Sequence, residues 1–297
     1  MKNDRASAEH GPGCISSAVK TAPEPRTVAE MYLDLLKKNL TRAISAKEYE
    51  RHTLRPSGVW RRSMHTVING TLAQLNLELV RVVRSGPEDY IESGHEARNR
   101  VEDAETMLGT RQLDQMQFCI NDVCERGIPG DVLEAGVWRG GMTVFMRGVL
   151  KARGDTLRRV WVADSFAGLP RPQGAHNSFG WQAGQMAVSL DDVKANFMRY
   201  GLLDEQVMFV KGFFDETLPA ASIPALSVLR VDADLYESTL TVLKNLYPRL
   251  SVGGYAVFDD YLNLADCRKA VDEYRKDHGI ADTITSIDSR AVFWKKT

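Results

Sequence analysis

Four aspartates stand in two pairs, each closing an apolar run. Asp232 and Asp234 lie in "RVDADLYEST", directly after "ALSVL", and Asp259 and Asp260 end the run in "GGYAVFDDY". Positions two apart in an extended chain share a side, so Asp232 and Asp234 can face one cleft. If the two runs are neighbouring strands, their axes lie about 4.8 Å apart and the acids gather at one sheet edge. Carboxylates that close repel and raise one another's pKa. A divalent cation relieves the repulsion. All-oxygen donors favour a hard ion, Mg²⁺ or Ca²⁺, with Mn²⁺ as a further option, and the lack of an accompanying His or Cys disfavours zinc. The competing reading is that each pair caps the helix or loop that follows, which "DLYESTL" and "DDYLNLADC" both permit.

A second set precedes these acids. "LEAGVWRGG" carries Glu134, Gly136, Gly140 and Gly141, an E-x-G-x-x-x-G spacing rather than the G-x-G-x-x-G of a dinucleotide site. Glycines let the backbone approach a ligand closely. An acid at a strand end suits a cationic ligand better than a pyrophosphate, and S-adenosylmethionine, with a sulfonium and an ammonium, needs both features. The next apolar run, "VWVADSF", ends at Asp164, which can hold two ribose hydroxyls. The offset of that acid does not separate a methyl donor from NAD; the glycine spacing does, and disfavours NAD.

Such residues need a sheet to hold them, and the rhythm of the chain supplies one. From about residue 101, apolar runs alternate with helical patterns: strand "GDVLEAG", helix "GGMTVFMRGVLKA", strand "RRVWVADSF", helix "LDDVKANFMRY" capped by Ser189, then strands "QVMFVKG" and "ALSVLRVDAD". A helix over about 237–247, the strand "GGYAVFDD" and the helix "ADCRKAVDEYRKDHG" complete the pattern. Strands alternating with helices imply βαβ units and a doubly wound, mainly parallel α/β sheet. The tail "DTITSIDSRAVFWKK" reads as a terminal antiparallel hairpin turning at Asp288–Arg290. In front of this domain, 1–22 reads as a disordered tail and 23–100 as an N-terminal helical region. Thr27 and Glu30 form a capping box, with Met31, Leu35, Leu36, Leu40 and Ile44 as an apolar stripe. "TVINGTLAQLNLELVRVV" reads as a further helix. Met116, Ile120, Val123 and Cys124 share one side of the helix that begins the 101–297 domain.

Bulk properties exclude several classes. With 38 basic and 39 acidic residues the formal net charge is −1, which points to neither a nucleic-acid nor a membrane partner. The four cysteines form no C-x-x-C pair and fit a reducing compartment, and Cys119 and Cys124, five apart in a helical pattern, read as small core residues. There is no apolar leader and no run of about 18 apolar residues, so a cytoplasmic protein is expected, and a homo-oligomer. The loop of about 170–188, with three glycines, two prolines, Phe179 and Trp181, reads as a lid. His176 in that loop can reach a substrate, whereas His278 suits a helix C-terminus.

The stretches "TMLGTRQLDQM", "GDVLEAGVWRGG", "VWVADSFAGLP", "NFMRYGLLDEQVMFVKGFFDETLP", "LRVDADLYEST" and "LSVGGYAVFDDY" resemble, in order, the macrocin O-methyltransferase family, the sugar O-methyltransferases of tylosin, mycinamicin and novobiocin biosynthesis. The resemblance implies a class I methyltransferase fold, S-adenosylmethionine, a divalent metal and a glycosylated small-molecule acceptor. By motif position, Asp232, Asp259 and Asp260 would hold the metal and Asp234 would be the general base. Thr106 and Met107 would line the donor site, with Glu134, Ala135, Gly136, Val137 and Trp138 from the glycine loop. Asp164, Ser165, Phe166 and Gly168 would follow from the next strand end, then Ser189, Gly212, Phe213 and Asp232. The implied activity is O-methylation of a sugar hydroxyl in antibiotic biosynthesis. The rivals are a metal-dependent catechol or phenol O-methyltransferase and a non-catalytic module that binds the nucleoside cofactor or a glycosylated ligand.

Overall fold

The computed structural model describes residues 26–43, 104–172, 177 and 179–297, with the backbone of 48–51 and 80–83. The expectations for 1–22, for most of 51–100, and for Ile44 and His176 fall outside these residues. The chain opens with helix α1 (Val28–Leu40), whose Thr27–Glu30 capping box forms as expected. Its buried face is Leu33, Leu36 and Leu40, while Met31 and Leu35 of the expected stripe are each 51% exposed. The neighbour decides this. A side chain at Gly148 would meet Leu36 at 2.4 Å, so the bare backbone there admits the Leu36 side of α1. Strands β1 (Glu48–Arg51) and β2 (Val80–Val83) pair antiparallel. The helix expected through 66–83 is therefore overturned at its end, where the β-branched run "VRVV" prefers the pleat. Among its described residues the N-terminal region holds one helix and a two-stranded sheet.

Helix α2 (Thr110–Glu125) buries Leu113, Met116, Cys119, Ile120 and Val123, with Gln112 the one polar member of that face. The main sheet follows as β3 (Asp131–Ala135), β4 (Val160–Asp164), β5 (Val207–Lys211), β6 (Leu226–Val231) and β7 (Leu250–Phe258). Helices α3 (Gly141–Ala152), α4 (Leu190–Arg199), the short α5 (Phe214–Thr217), α6 (Tyr236–Leu246) and α7 (Ala265–Asp277) connect and follow them. A hairpin of β8 (Thr285–Ser286) and β9 (Val292–Lys295) ends the chain. The strand order is β5-β4-β3-β6-β7-β9-β8, parallel through β7 and antiparallel at β9 and β8. This is the expected doubly wound sheet with a terminal hairpin.

Residue parity sorts the two faces. Val132, Val162, Val228 and Val257 pack with α1 to α4, and Leu133, Ala163, Leu229 and Phe258 with α6 and α7. Burial on both faces explains why these strands read as unbroken apolar runs. The hairpin is pinned by Trp294, which stacks on Phe258 at 4.6 Å. Chain direction switches sides between β3 and β6, and in open α/β sheets ligands sit beyond the strand ends at such a point. No helix of the described residues is long and apolar enough to cross a membrane.

Candidate active site

The carboxyl ends of β3, β4, β6 and β7 open into one cavity, which Glu134, Asp164, Asp232, Asp234 and Asp259 all line. Ladder bonds run past the strand ends and place the acids. Asp232 N–H donates to Ala135 O at 2.8 Å and Asp259 N–H to Val231 O at 3.0 Å. Neither pair caps a helix: the N-cap residues are Leu235 for α6 and Leu264 for α7, and neither end has a side-chain cap. The helix-capping form of the alternative is therefore not observed.

The glycine loop brings backbone against backbone. Gly136 has φ +87°, and a Cβ there would stand 1.7 Å from the Asp232 carbonyl oxygen. Gly140, at φ +81°, starts α3 in the left-handed region. Asp164 ties the loop to the next strand end: Oδ2 accepts from Val137 N–H and Oδ1 from Phe166 N–H, both at 2.8 Å. A carboxylate has about four lone-pair positions, so capacity for ribose hydroxyls remains. Glu134 is 2% exposed; Oε1 accepts from Arg230 at 2.6 Å and Oε2 has no partner. Burial, helped by Asp259 and opposed by Arg230, pushes its carboxyl up to about 7. A buried, unpartnered carboxylate oxygen over a glycine cradle suits the ammonium of S-adenosylmethionine.

The acids at the ends of β6 and β7 sit in a low-dielectric cluster. Asp232, Asp259 and Asp260 can each offer an oxygen within 4.8 Å of the others. Burial, then repulsion from Asp259, raises the carboxyl of Asp232 well above the usual range against the pull of Arg230. Burial and the charges of Asp260 and Asp259 do the same to Asp234, which is held at φ +54°. Asp260 Oδ1 accepts from Arg290 at 2.6 Å, while its buried Oδ2 has no partner. Mutual repulsion among oxygen donors and an orphaned carboxylate oxygen both fit a hard divalent ion.

Two arginines that the motif reading passed over build this cluster. Arg230, fully buried on β6, donates through Nη1 to Glu134 and Asp232 and through Nη2 to Asp259 and Gln112. Arg290, from the hairpin turn, donates to Asp260 and, at 3.3 Å, to Asp259. The signal for Arg230 was present, because a charge inside a strand buried on both faces must have partners. Arg290 had none beyond its place in a turn.

Of the other expected donor residues, Thr106, Met107, Val137, Trp138, Ser165, Gly168 and Phe213 line the cavity. Ala135, Phe166, Ser189 and Gly212 are not among its lining residues. Ser189 caps α4, accepting from Asp192 N–H and donating to Asp192 Oδ2. Phe166 packs on Phe209 in the core, and Gly212 donates its N–H to the Asp164 carbonyl. His278 closes α7, its Nδ1 within 2.8 Å of the Tyr274 carbonyl. From the loop of 170–188, Pro170, Arg171 and Met186 line the cavity wall, with Leu169 just before it.

The profile of the Macrocin-O-methyltransferase (TylF) family matches residues 29–296. Mycinamicin III 3''-O-methyltransferase of Micromonospora griseorubida is 40% identical over 281 residues, covering 92% of this chain and 99% of its own. Demethyldecarbamoylnovobiocin O-methyltransferase of Streptomyces niveus is 46% identical over 213 residues, 68% of this chain and 80% of its own. Among solved structures, the O-methyltransferase NovP superposes with a TM-score of 0.70 at 38% identity, covering 91% of this chain and 99% of that one. The shared architecture is the class I methyltransferase fold.

Proposed function

The chain belongs to the macrocin O-methyltransferase family, and on that premise we propose that it methylates a sugar hydroxyl of a glycosylated natural product, using S-adenosylmethionine and a divalent cation. It is an S-adenosylmethionine-dependent O-methyltransferase; the acceptor and the cation are the proposed parts. The observation that carries them is the gathering of Asp232, Asp259 and Asp260 oxygens within 4.8 Å of one another, with Asp232 and Asp259 lining the same cavity as Glu134 and Asp260 buried beside them. The relatives named for mycinamicin and novobiocin precursors act on acceptors of this kind.

Bound there, the donor supplies an electrophilic methyl group and the cation lowers the pKa of a nearby hydroxyl. The chain's own residues do the rest. Glu134 receives the ammonium, and Asp164 the ribose hydroxyls. Asp232, Asp259 and Asp260 hold the cation. Asp234, at the start of the loop into α6, accepts the acceptor's hydroxyl proton. In-line transfer to the acceptor oxygen would exchange the donor's S–CH₃ bond for O–CH₃ and leave a neutral thioether, with the hydroxyl proton held by Asp234. Holding the acceptor oxygen in that line is itself a large part of the rate.

The test is methyl transfer to an O-demethylated glycosylated macrolide or aminocoumarin, read by mass spectrometry. EDTA should abolish the one-methyl mass gain and Mg²⁺ should restore it. Full turnover in EDTA would remove the cation from the reading. Methylation of a free catechol but of no glycoside would remove the sugar.

A further inference from the structure

Arg230 bonds carboxylates at both ends of the cavity, Glu134 at the donor end and Asp232 and Asp259 at the cation end. It is 0% exposed and stands cross-strand from Glu134. Its Nη1 is shared by Glu134 Oε1 at 2.6 Å and Asp232 Oδ2 at 2.8 Å. Its Nη2 is shared by Asp259 Oδ1 at 2.6 Å and Gln112 Oε1 at 3.1 Å. Gln112, from α2, in turn donates to Asp288 Oδ2 in the hairpin turn at 3.2 Å, which braces the fork from behind. Among the described residues, Arg290 pairs with Asp259 and Asp260, both at the cation end.

We propose that Arg230 is a positioning residue that makes the affinities for donor and cation depend on each other. This rests on the reading above that both bind in the cavity. A guanidinium is a rigid plane, so turning one of its carboxylates re-aims the fork at the others. An ammonium settling on Glu134 Oε2 holds that carboxylate, hence the fork, hence Asp232 and Asp259 in the orientation a cation requires. Ordering done by the first ligand is not required again of the second, which gives positive coupling. By linkage the coupling is reciprocal. Without the fork, only direct repulsion between two positive ligands would remain.

The experiment is calorimetric titration of Mg²⁺ into the full chain with and without saturating S-adenosylhomocysteine. That probe keeps the amino-acid head group and lacks the sulfonium. In the wild type it should tighten Mg²⁺ binding several-fold, within the about 5–150-fold usual for coupled sites, and Mg²⁺ should tighten S-adenosylhomocysteine by the same factor. Arg230→Lys keeps the charge but offers one nitrogen in place of the fork. Gln112→Leu keeps Arg230 but removes the brace, at a residue outside the cavity lining. Both variants should bind each ligand alone while the coupling factor falls toward one. If Arg230→Lys does not fold, judged by circular dichroism, Gln112→Leu decides. A wild-type factor of one overturns the inference, as does a factor unchanged in the folded variants. A wild type that binds neither ligand overturns the functional reading instead.

Discussion

Gly136→Ala should damage fold and site by one physical cause. The new methyl would lie 1.7 Å from the Asp232 carbonyl oxygen and 2.8 Å from its carbon. Real Cβ contacts do not fall below 3.0 Å, so the ends of β3 and β6 must part by about 1.3 Å. Two energies add. A non-glycine residue held at φ +87° costs about 1–2 kcal/mol. Overpacking against a backbone that is itself bonded to Ala135 O costs about 1–3 kcal/mol more. The sum, roughly 2–5 kcal/mol, lowers the melting temperature by roughly 4–20 °C at about 2–4 °C per kcal/mol for a domain of this size. Asp232 moves with its carbonyl, and a displacement of about 1 Å near reacting groups can cost about 10²-fold in turnover. Gly127→Ala is the control, since it has φ +64° but nothing within 4 Å of a new Cβ; it should show the backbone cost alone. The assays are thermal unfolding by circular dichroism and turnover at saturating donor. If Gly136→Ala melts with Gly127→Ala and keeps wild-type turnover, the two strand ends are not held in the close approach described.

Asp164→Ala should weaken donor binding by about 1–3 kcal/mol, since it removes hydrogen bonds made by a charged group; unchanged calorimetric affinity would reject the ribose role. Glu134, pushed up to about 7 in the donor-free protein, should lose its proton when an ammonium binds. Donor affinity should therefore rise with pH up to about 7 and then level, with protons released below that point, and Glu134→Gln should flatten the profile. Asp234→Asn suits the backbone at φ +54° as well as Asp does, and should cut turnover by about 10²–10⁴-fold with donor binding intact. In EDTA it should melt no lower than the wild type near neutral pH, because burial and the charges of Asp260 and Asp259 disfavour the ionised carboxyl it replaces. Asp232→Asn should instead raise the Mg²⁺ needed for turnover; rescue of Asp234→Asn by excess Mg²⁺, and not of Asp232→Asn, would exchange the two roles.

What the sequence settled alone is what depends on neighbours in the chain. The alternation of apolar runs and helical patterns set the α/β class, and the Thr27 and Ser189 caps formed where their spacing put them. The acids at 164, 232, 259 and 260 were legible because each closes a buried run and so falls at the carboxyl end of the sheet; Asp234 also lines the cavity, but at φ +54° it is not the extended residue that the two-apart spacing assumed. Tertiary structure decided what depends on distant partners. "VRVV" at 80–83 carries β-branched residues at the end of a Leu-rich stretch, and pairing with 48–51 chose the strand. Helix α1 is apolar on more than one side, and the bare backbone at Gly148 chose Leu33 and Leu36 over Met31 and Leu35. Arg230 interrupts an apolar run, which signals that it has partners but not which ones. Its partners Gln112, Glu134 and Asp259 come from α2, the end of β3 and the end of β7, and only the folded sheet brings them to one guanidinium. A buried charge is tolerable only where such partners converge, and local sequence cannot record that convergence.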